Sequence, residues 1–233
     1  MRTRQFGWLC LAACVLAGPR GGISGDEAAV ELSEISVTAP GLYSDWLVWK
    51  ADSIGSALDG LPGLILNSQG GSSVQNDLSI RGSSFSEAGL AIGGLALRHP
   101  QTEHFNAELP LPAWLFRPPD VLTGMEQAIG SSGHIVGTVN LEFAPASDRS
   151  HVDMGLGERG ANRQAMASRT VFGKEGDLQA GLDVFADREA VQGVDYDDND
   201  LDRAGGGAHF QVLGEGQQTD LVLAGQAKSF GAQ

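Results

Sequence analysis

Three groups of side chains in this 233-residue chain have the types that do chemistry. The first is His99-Pro100-Gln101-Thr102-Glu103-His104, two imidazoles and a carboxylate in one short stretch. Helical zinc sites read H-E-x-x-H or H-x-x-E-H, which puts the ligands on one helix face. Here the order is H-x-x-x-E-H, and Pro100 opposes the helix such a site needs. With Asn106, the stretch reads instead as a stiff polar loop suited to hydrogen bonding a polar ligand. The second group is the acidic run from Asp195 to Asp202. Its carboxylates are hard oxygen donors, so Asp195, Asp197, Asp198 and Asp200 are candidate Ca²⁺ ligands. The run lacks the glycine and glutamate positions of an EF-hand loop, and a solvated acidic loop is the plainer reading. The third group is Cys10 and Cys14, the chain's two cysteines. There is no nucleophile elbow, phosphate loop or dinucleotide fingerprint, and no Ser–His pair finds a third partner. An enzyme is not expected, and no cofactor is implied.

The charge balance excludes another class. The chain has 29 acidic against 15 basic side chains, a formal charge of -14. Nucleic acid is not an expected partner, because phosphate binding needs clustered Lys and Arg. The first 24 residues have the texture of an export signal. Arg2 and Arg4 precede the apolar run Phe6 to Ala17, which is too short to span a bilayer as a helix. Small residues follow, and cleavage after Ser24 fits the small-residue rule; a buried N-terminal helix is the alternative. Both cysteines would leave with this segment, so the mature chain would have no disulfide or thiolate site. Leu11-Ala12-Ala13-Cys14 also resembles a lipobox, which leaves lipidation at Cys14 open beside ordinary cleavage.

The elements that must position these groups follow from periodicity. Residues Glu34, Ile35, Ser36, Val37, Thr38 and Ala39 alternate β-branched with small polar side chains up to Pro40. That is an extended segment, able to add to another protein's sheet edge or to serve as an ordinary edge strand. From Asp52 to Leu61, Ile54, Leu58 and Leu61 fall at helical spacing, with Asp52 or Ser53 as cap and Pro62-Gly63 as the stop. Strands are expected at 63–67, 77–82, 120–124 and 137–143, and a hairpin over 89–97 turns at Gly93-Gly94. Residues 110–116 give a single helical turn, and 125–136 a loop. This is an α+β pattern with a small mixed sheet.

After Pro145 the texture changes. Segments near 150–157, 164–172, 178–187, 204–213 and 219–229 match tilted membrane strands of about 9–11 residues. In the third, Leu178, Ala180, Leu182, Val184 and Ala186 share one face. Gln179, Gly181, Asp183 and Asp187 take the other, and Phe185 interrupts that polar face. A barrel wall needs such alternation, and a half-buried soluble sheet would show it too. The connections at 173–177 and 214–218 are short, whereas 188–203 is long and acidic. That parity suits tight periplasmic turns and a long external loop.

These residues together resemble the plug of TonB-dependent outer-membrane receptors. Ala57 to Leu64 (ALDGLPGL) is similar to the plug's opening L-x-x-L-P-G-V, and Leu78 to Gly82 (LSIRG) to its I-R-G strand. Leu90 to Leu97 resembles the family's hydrophobic D-G turn, with Gly93 in place of the aspartate. Val121 to Leu141 resembles the closing motif, with Thr123 where the family has a second arginine. His99 to Asn106, followed by Leu109-Pro110, is similar to a subgroup that includes vitamin B12 receptors. The resemblance covers about 35–143 and runs more weakly to the end.

The resemblance implies a TonB box at Glu34 to Ala39 that pairs with the TonB C-terminal domain. It implies that Arg81 locks plug to barrel through a carboxylate, and that His99, Gln101, Thr102, His104 and Asn106 face the ligand. The expected divisions are a signal peptide at 1–24, a flexible lead with the TonB box at 25–40, a plug at 41–145 and barrel strands at 146–233. The whole would be a Gram-negative outer-membrane receptor importing a scarce small-molecule nutrient: cobalamin, a ferric siderophore or a glycan. Such barrels have about 22 strands, and about five are expected here, so this chain reads as a truncated product or fragment. The rival is a stand-alone soluble periplasmic binding module built on the plug.

Overall fold

Ser53 starts the first described helix, α1 (Ile54–Leu58), through a reciprocal capping box. Its Oγ accepts from the Ser56 amide at 3.1 Å, and Ser56 Oγ accepts from the Ser53 amide at 2.8 Å. Ile54 and Leu58, four residues apart, bury one face of this short helix. The computed structural model describes residues 2–5, 13–17, 53–59, 61–69, 75–97, 107–130, 133–158, 160–175, 178–192 and 200–231. They are mostly strand, with few helices.

The N-terminal unit contains two small sheets. β3 (Leu64–Gln69) and β4 (Gln75–Ile80) pair antiparallel. β5 (Ala88–Ile92), β6 (Leu95–Leu97), β7 (Asp120–Thr123) and β8 (Gly137–Leu141) form a sheet in the order β6-β5-β8-β7. β5 and β8 run parallel at its centre, and the other pairs are antiparallel. All of β5 is buried, as expected of a parallel strand covered on both faces. The β5–β6 hairpin turns on Gly93 and Gly94, with φ of 56° and 82°, the left-handed pair that the glycines foretold.

One expectation is corrected here. Residues 125–136 were expected as a loop, yet Met125–Gly130 is a helix, α2. Gly124 turns the chain at φ 60° and accepts from the Ala128 amide at 3.2 Å. Gln127, the buried residue of α2, donates from Nε2 to the His134 carbonyl at 3.0 Å. The segment MEQAIG contains good helix formers but is only six residues long, and its apolar Met125 and Ile129 are 78% and 84% exposed.

The C-terminal unit is an antiparallel meander. β9 (Arg149–Leu156), β10 (Asn162–Glu175), β11 (Leu178–Val191), β12 (Leu201–Gly214) and β13 (Gln217–Gly231) pair in sequence order. β10 to β13 have 14 or 15 residues each, longer than the segments expected. Cross-strand ion pairs carry the β11–β12 ladder into the acidic connection. Arg203 meets Asp187 at 2.8 Å, and Arg188 meets Asp202 at 3.5 Å. Beyond β13, the backbones of β1 (Arg2–Gln5) and β2 (Ala13–Ala17) pair antiparallel with it. These two segments are extended, and residues 6–12 between them lie outside the described residues.

The meander has two chemically distinct faces. Val152, Met154, Met166, Val184, Leu221 and Leu223 stand on the outer one, between 50% and 79% exposed. Arg169, Asp183, His209, Gln211 and Asp220 stand buried on the other, against the N-terminal unit. One apolar core joins the units, running from Ile54, Leu90 and Leu141 to Phe185 and Val222.

Candidate functional site

Register arranges the inner face of the meander in bands. Arg163, Glu189, Arg203 and Lys228 are successive cross-strand partners on β10 to β13, a row of charges at one height. Ala167, Phe185, Gly207 and Ala224 form an apolar belt in the same way. Arg169, Asp183 and His209 form a third row, with Gln211 opposite Asp220 one step further on.

The third row is a continuous buried network. Arg169 Nε donates to Asp183 Oδ1 at 2.6 Å. The other Asp183 oxygen lies 2.7 Å from His209 Nδ1, and His209 Nε2 lies 2.8 Å from Asp220 Oδ1. Two hydrogen bonds from one imidazole to two carboxylates require an extra proton, on the ring or on a carboxyl. With that proton counted, the cluster of Arg169, Asp183, His209 and Asp220 is neutral in either placement. Gln211 and Gln218 donate to Asp220, each at 2.8 Å. None of the four charged side chains is more than 4% exposed, so each depends on its partners for solvation.

This network grips the chain just after β8. Gln218 donates to the Phe143 carbonyl at 3.4 Å, Gln211 to Ala144 at 3.2 Å and Arg169 to Pro145 at 3.3 Å. Gln211 Oε1 accepts from the Ala146 amide at 2.7 Å, and Gln179 donates to the Ala146 carbonyl at 3.0 Å. Rings reinforce the grip. Phe143 stacks on His209 at 4.5 Å and on Phe116 at 4.8 Å. Gly181 permits the close approach, since a Cβ there would lie 2.2 Å from that of Ala146.

The belt and the charged row are met by other residues. Trp114, in the single 3-10 turn Ala113–Leu115, packs edge-on against Phe185 at 6.2 Å. Phe185 interrupts the polar alternation of β11 because it enters the core of the N-terminal unit there. Above it, Glu108 pairs with Lys228, and Gln226 donates to the Glu108 carbonyl at 3.1 Å. Burial raises the Glu108 carboxyl from 4.5 to about 6, with Lys228 acting in opposition. Beside this contact the units part in a cleft lined by Leu111, Trp114, His151, Arg163, Phe185 and Arg203, among others.

The residues singled out in the sequence fall elsewhere. Glu34 to Ala39, His99 to Asn106, and Asp195, Asp197 and Asp198 lie outside the described residues. Asp200 is described, and its carbonyl accepts from the Gly231 amide at 2.9 Å. Arg81 is exposed, with a left-handed φ of 54°, and its guanidinium lies 3.5 Å from Thr123 Oγ1. Among the described residues it meets no carboxylate of the meander. The turn at Arg81-Gly82 aims it along its own unit. The polar contacts seen between the units are Glu108–Lys228, with the carboxylate on the N-terminal unit, and the Arg169 network, whose charges all stand on the meander and meet backbone groups of the other unit. A readable signal existed: Arg169, Asp183, His209 and Asp220 sit at inward positions of alternating strands. Among the described residues no three His, Cys, Asp or Glu side chains group as metal ligands.

No protein family and no curated protein matches the sequence. Solved structures do. The siderophore receptor PirA from Acinetobacter baumannii is 14% identical with a TM-score of 0.55, over 76% of this chain and 30% of that one. PirA from Pseudomonas aeruginosa is 16% identical with a TM-score of 0.50, over 76% of this chain and 32% of that one. P. aeruginosa FpvA, bound to heterologous pyoverdines, is 14% identical with a TM-score of 0.54, over 77% of this chain and 23% of that one. These are TonB-dependent siderophore receptors, and the likeness is one of fold. This chain spans under a third of their length.

Proposed function

We propose that this chain is the N-terminal portion of a TonB-dependent receptor in a Gram-negative outer membrane. In this reading 1–24 direct export, 25–40 carry the TonB box, 41–145 are the plug and 146–233 the first barrel strands. The observation that carries it is the two-faced meander with a folded unit fastened to its polar side. In water, side chains such as Met154 and Leu223 would form a large exposed apolar band. Against lipid the same band is what a barrel wall needs, and the polar interior is what a plugged lumen needs. Among the described residues no helix is long and apolar enough to cross a membrane. A stand-alone soluble module leaves the apolar face without a function.

The activity that follows is energised import of a scarce, polar small molecule, cobalamin, a ferric siderophore or a glycan, without chemistry on the ligand. TonB adds a strand to Glu34–Ala39 and pulls, and the plug is displaced or remodelled. The fold of the siderophore receptors supports this reading, and the alternating run behind a polar leader motivates the TonB contact. The test is a pull-down of the full-length receptor, in detergent, by a TonB C-terminal domain. Val37→Pro removes a backbone donor from the added strand and abolishes capture. Undiminished capture removes the TonB reading.

A further inference from the structure

The meander ends on β13, and a strand at a sheet's edge carries a row of unpaired amides and carbonyls. Here that row is taken by the chain's own N-terminus. Arg2–Gln5 pairs with Gly231 to Lys228, and Ala13–Ala17 pairs with Val222 to Gln218. Both pairings are antiparallel, so the two strands run in one direction along the same edge. Seven residues (6–12) separate β1 from β2 and five (223–227) separate their partners, so one passage of the chain serves both registers. The fit reaches both ends of the 15-residue strand. Arg2 lies opposite Gly231, where β13 stops, and Ala17 lies opposite Gln218, next to where it starts. Pro19 comes two residues later in the sequence, and a proline has no amide to carry the ladder further. β9, at the other edge of the sheet, has no strand outside it among the described residues.

We propose that residues 2–5 and 13–17 guard the β13 edge: while they remain on the chain they close it to every other strand, and their removal opens it. The opening rests on the reading of 1–24 as an export segment; the pairing does not. An export segment acts on the unfolded chain, before β13 offers an edge. Once the meander has formed, a segment still attached has a ladder to join. Against lipid an unpaired amide or carbonyl has no water to turn to, so an open edge is costly there and a paired one is not. Backbone groups make the contact, so it asks for an extended segment rather than a particular sequence. The covalent tether then favours the chain's own N-terminus over a free strand, because its effective concentration at the edge is high. Retained, the segment also keeps the β13 edges of two copies from pairing with each other, which is the hazard of a bare edge strand.

Hydrogen–deuterium exchange on the 233-residue chain, refolded into detergent with residues 1–24 retained, reads the pairing. Consecutive amides of a strand point to opposite sides, so alternate amides of β13 point away from β12. Those at 218–222 and 228–231 are expected to be protected at least about tenfold beyond the outward amides of β9. Cys14→Pro/Val15→Pro removes two consecutive donors, one of which faces β13, and Thr3→Pro/Arg4→Pro does the same in the other register. Each variant lowers protection by at least about tenfold at its own register, 218–222 for the first and 228–231 for the second. Amides that face β12 keep theirs, which reports that the meander still folds. The guard is overturned if the outward amides of β13 exchange as fast as those of β9 in the unchanged chain, or if both variants leave them protected. A labelled peptide of residues 2–17 tests closure: it binds the chain carrying all four substitutions and not the unchanged one. Equal binding to the two, or none to either, overturns the claim that the segment closes the edge. Neither TonB nor a nutrient enters these measurements. Failure here leaves the receptor reading standing, and a failed TonB pull-down leaves the pairing standing.

Discussion

Replacing Asp183 by alanine removes the keystone of the buried network. Asp183 accepts from Arg169 at 2.6 Å and faces His209 at 2.7 Å, and it is 1% exposed. The variant leaves two potential cations facing Asp220 alone, in a place water does not reach. His209 can shed its proton, but the Arg169 guanidinium cannot. Its remaining partners are the Trp114 carbonyl at 3.5 Å, the Pro145 carbonyl at 3.3 Å and the Trp114 ring at 5.4 Å, none of which is an anion. Breaking a buried pair by removing one partner costs about 3–5 kcal/mol. That is about a hundredfold to several-thousandfold in the unfolding equilibrium. The control has the same chemistry in water: Asp202 pairs with Arg188 at 3.5 Å, with both side chains more than half exposed. Asp202→Ala is expected to cost about 0–1 kcal/mol. Guanidinium unfolding of the full-length protein in detergent, followed by tryptophan fluorescence, gives both values. Equal shifts in the two variants would refute the claim that burial and mutual hydrogen bonding make this network hold the units together.

Three further outcomes follow. Gly181→Val drives a side chain into Ala146 and should lower stability by about 1–3 kcal/mol; protease cleavage near 143–146 should rise with it, and unchanged cleavage would contradict the docking geometry. Gly89→Ala places a Cβ 2.0 Å from the His134 ring, whereas Gly214→Ala meets only Leu178 at 3.7 Å. The first variant should shift the unfolding midpoint and the second should not. Isothermal titration of the full-length protein with cobalamin and with a ferric siderophore, each with Ca²⁺ and with chelator, tests the loops. Affinity should drop at least about tenfold when Gln101, His104 and Asn106 become alanine, and calcium-independent binding indifferent to those changes would sink both loop assignments.

Local periodicity was readable, because the backbone fixes it without help from distant residues. Leu178, Ala180, Leu182, Val184 and Ala186 had to share a face once β11 formed, and Gly93-Gly94 had to turn because the hairpin needs left-handed φ values. Ser53 was readable as a cap for a similar reason: its partner is three residues away. Phe185 was visible as an exception, though its reason, the Trp114 edge, comes from another unit. The helix at Met125–Gly130 is six residues long, too short for periodicity to announce, and it buries Gln127 while Met125 and Ile129 stand exposed. Arg81 was identifiable as a charge beside a turn, but its direction depended on a left-handed φ that side-chain pattern does not specify. The Asp183–His209–Asp220 bridge and the Glu108–Lys228 pair depend on strand register and on which loop lies opposite each band. A buried charge is tolerable only where its partner stands within hydrogen-bond reach, and that distance comes into existence when the two units close on each other.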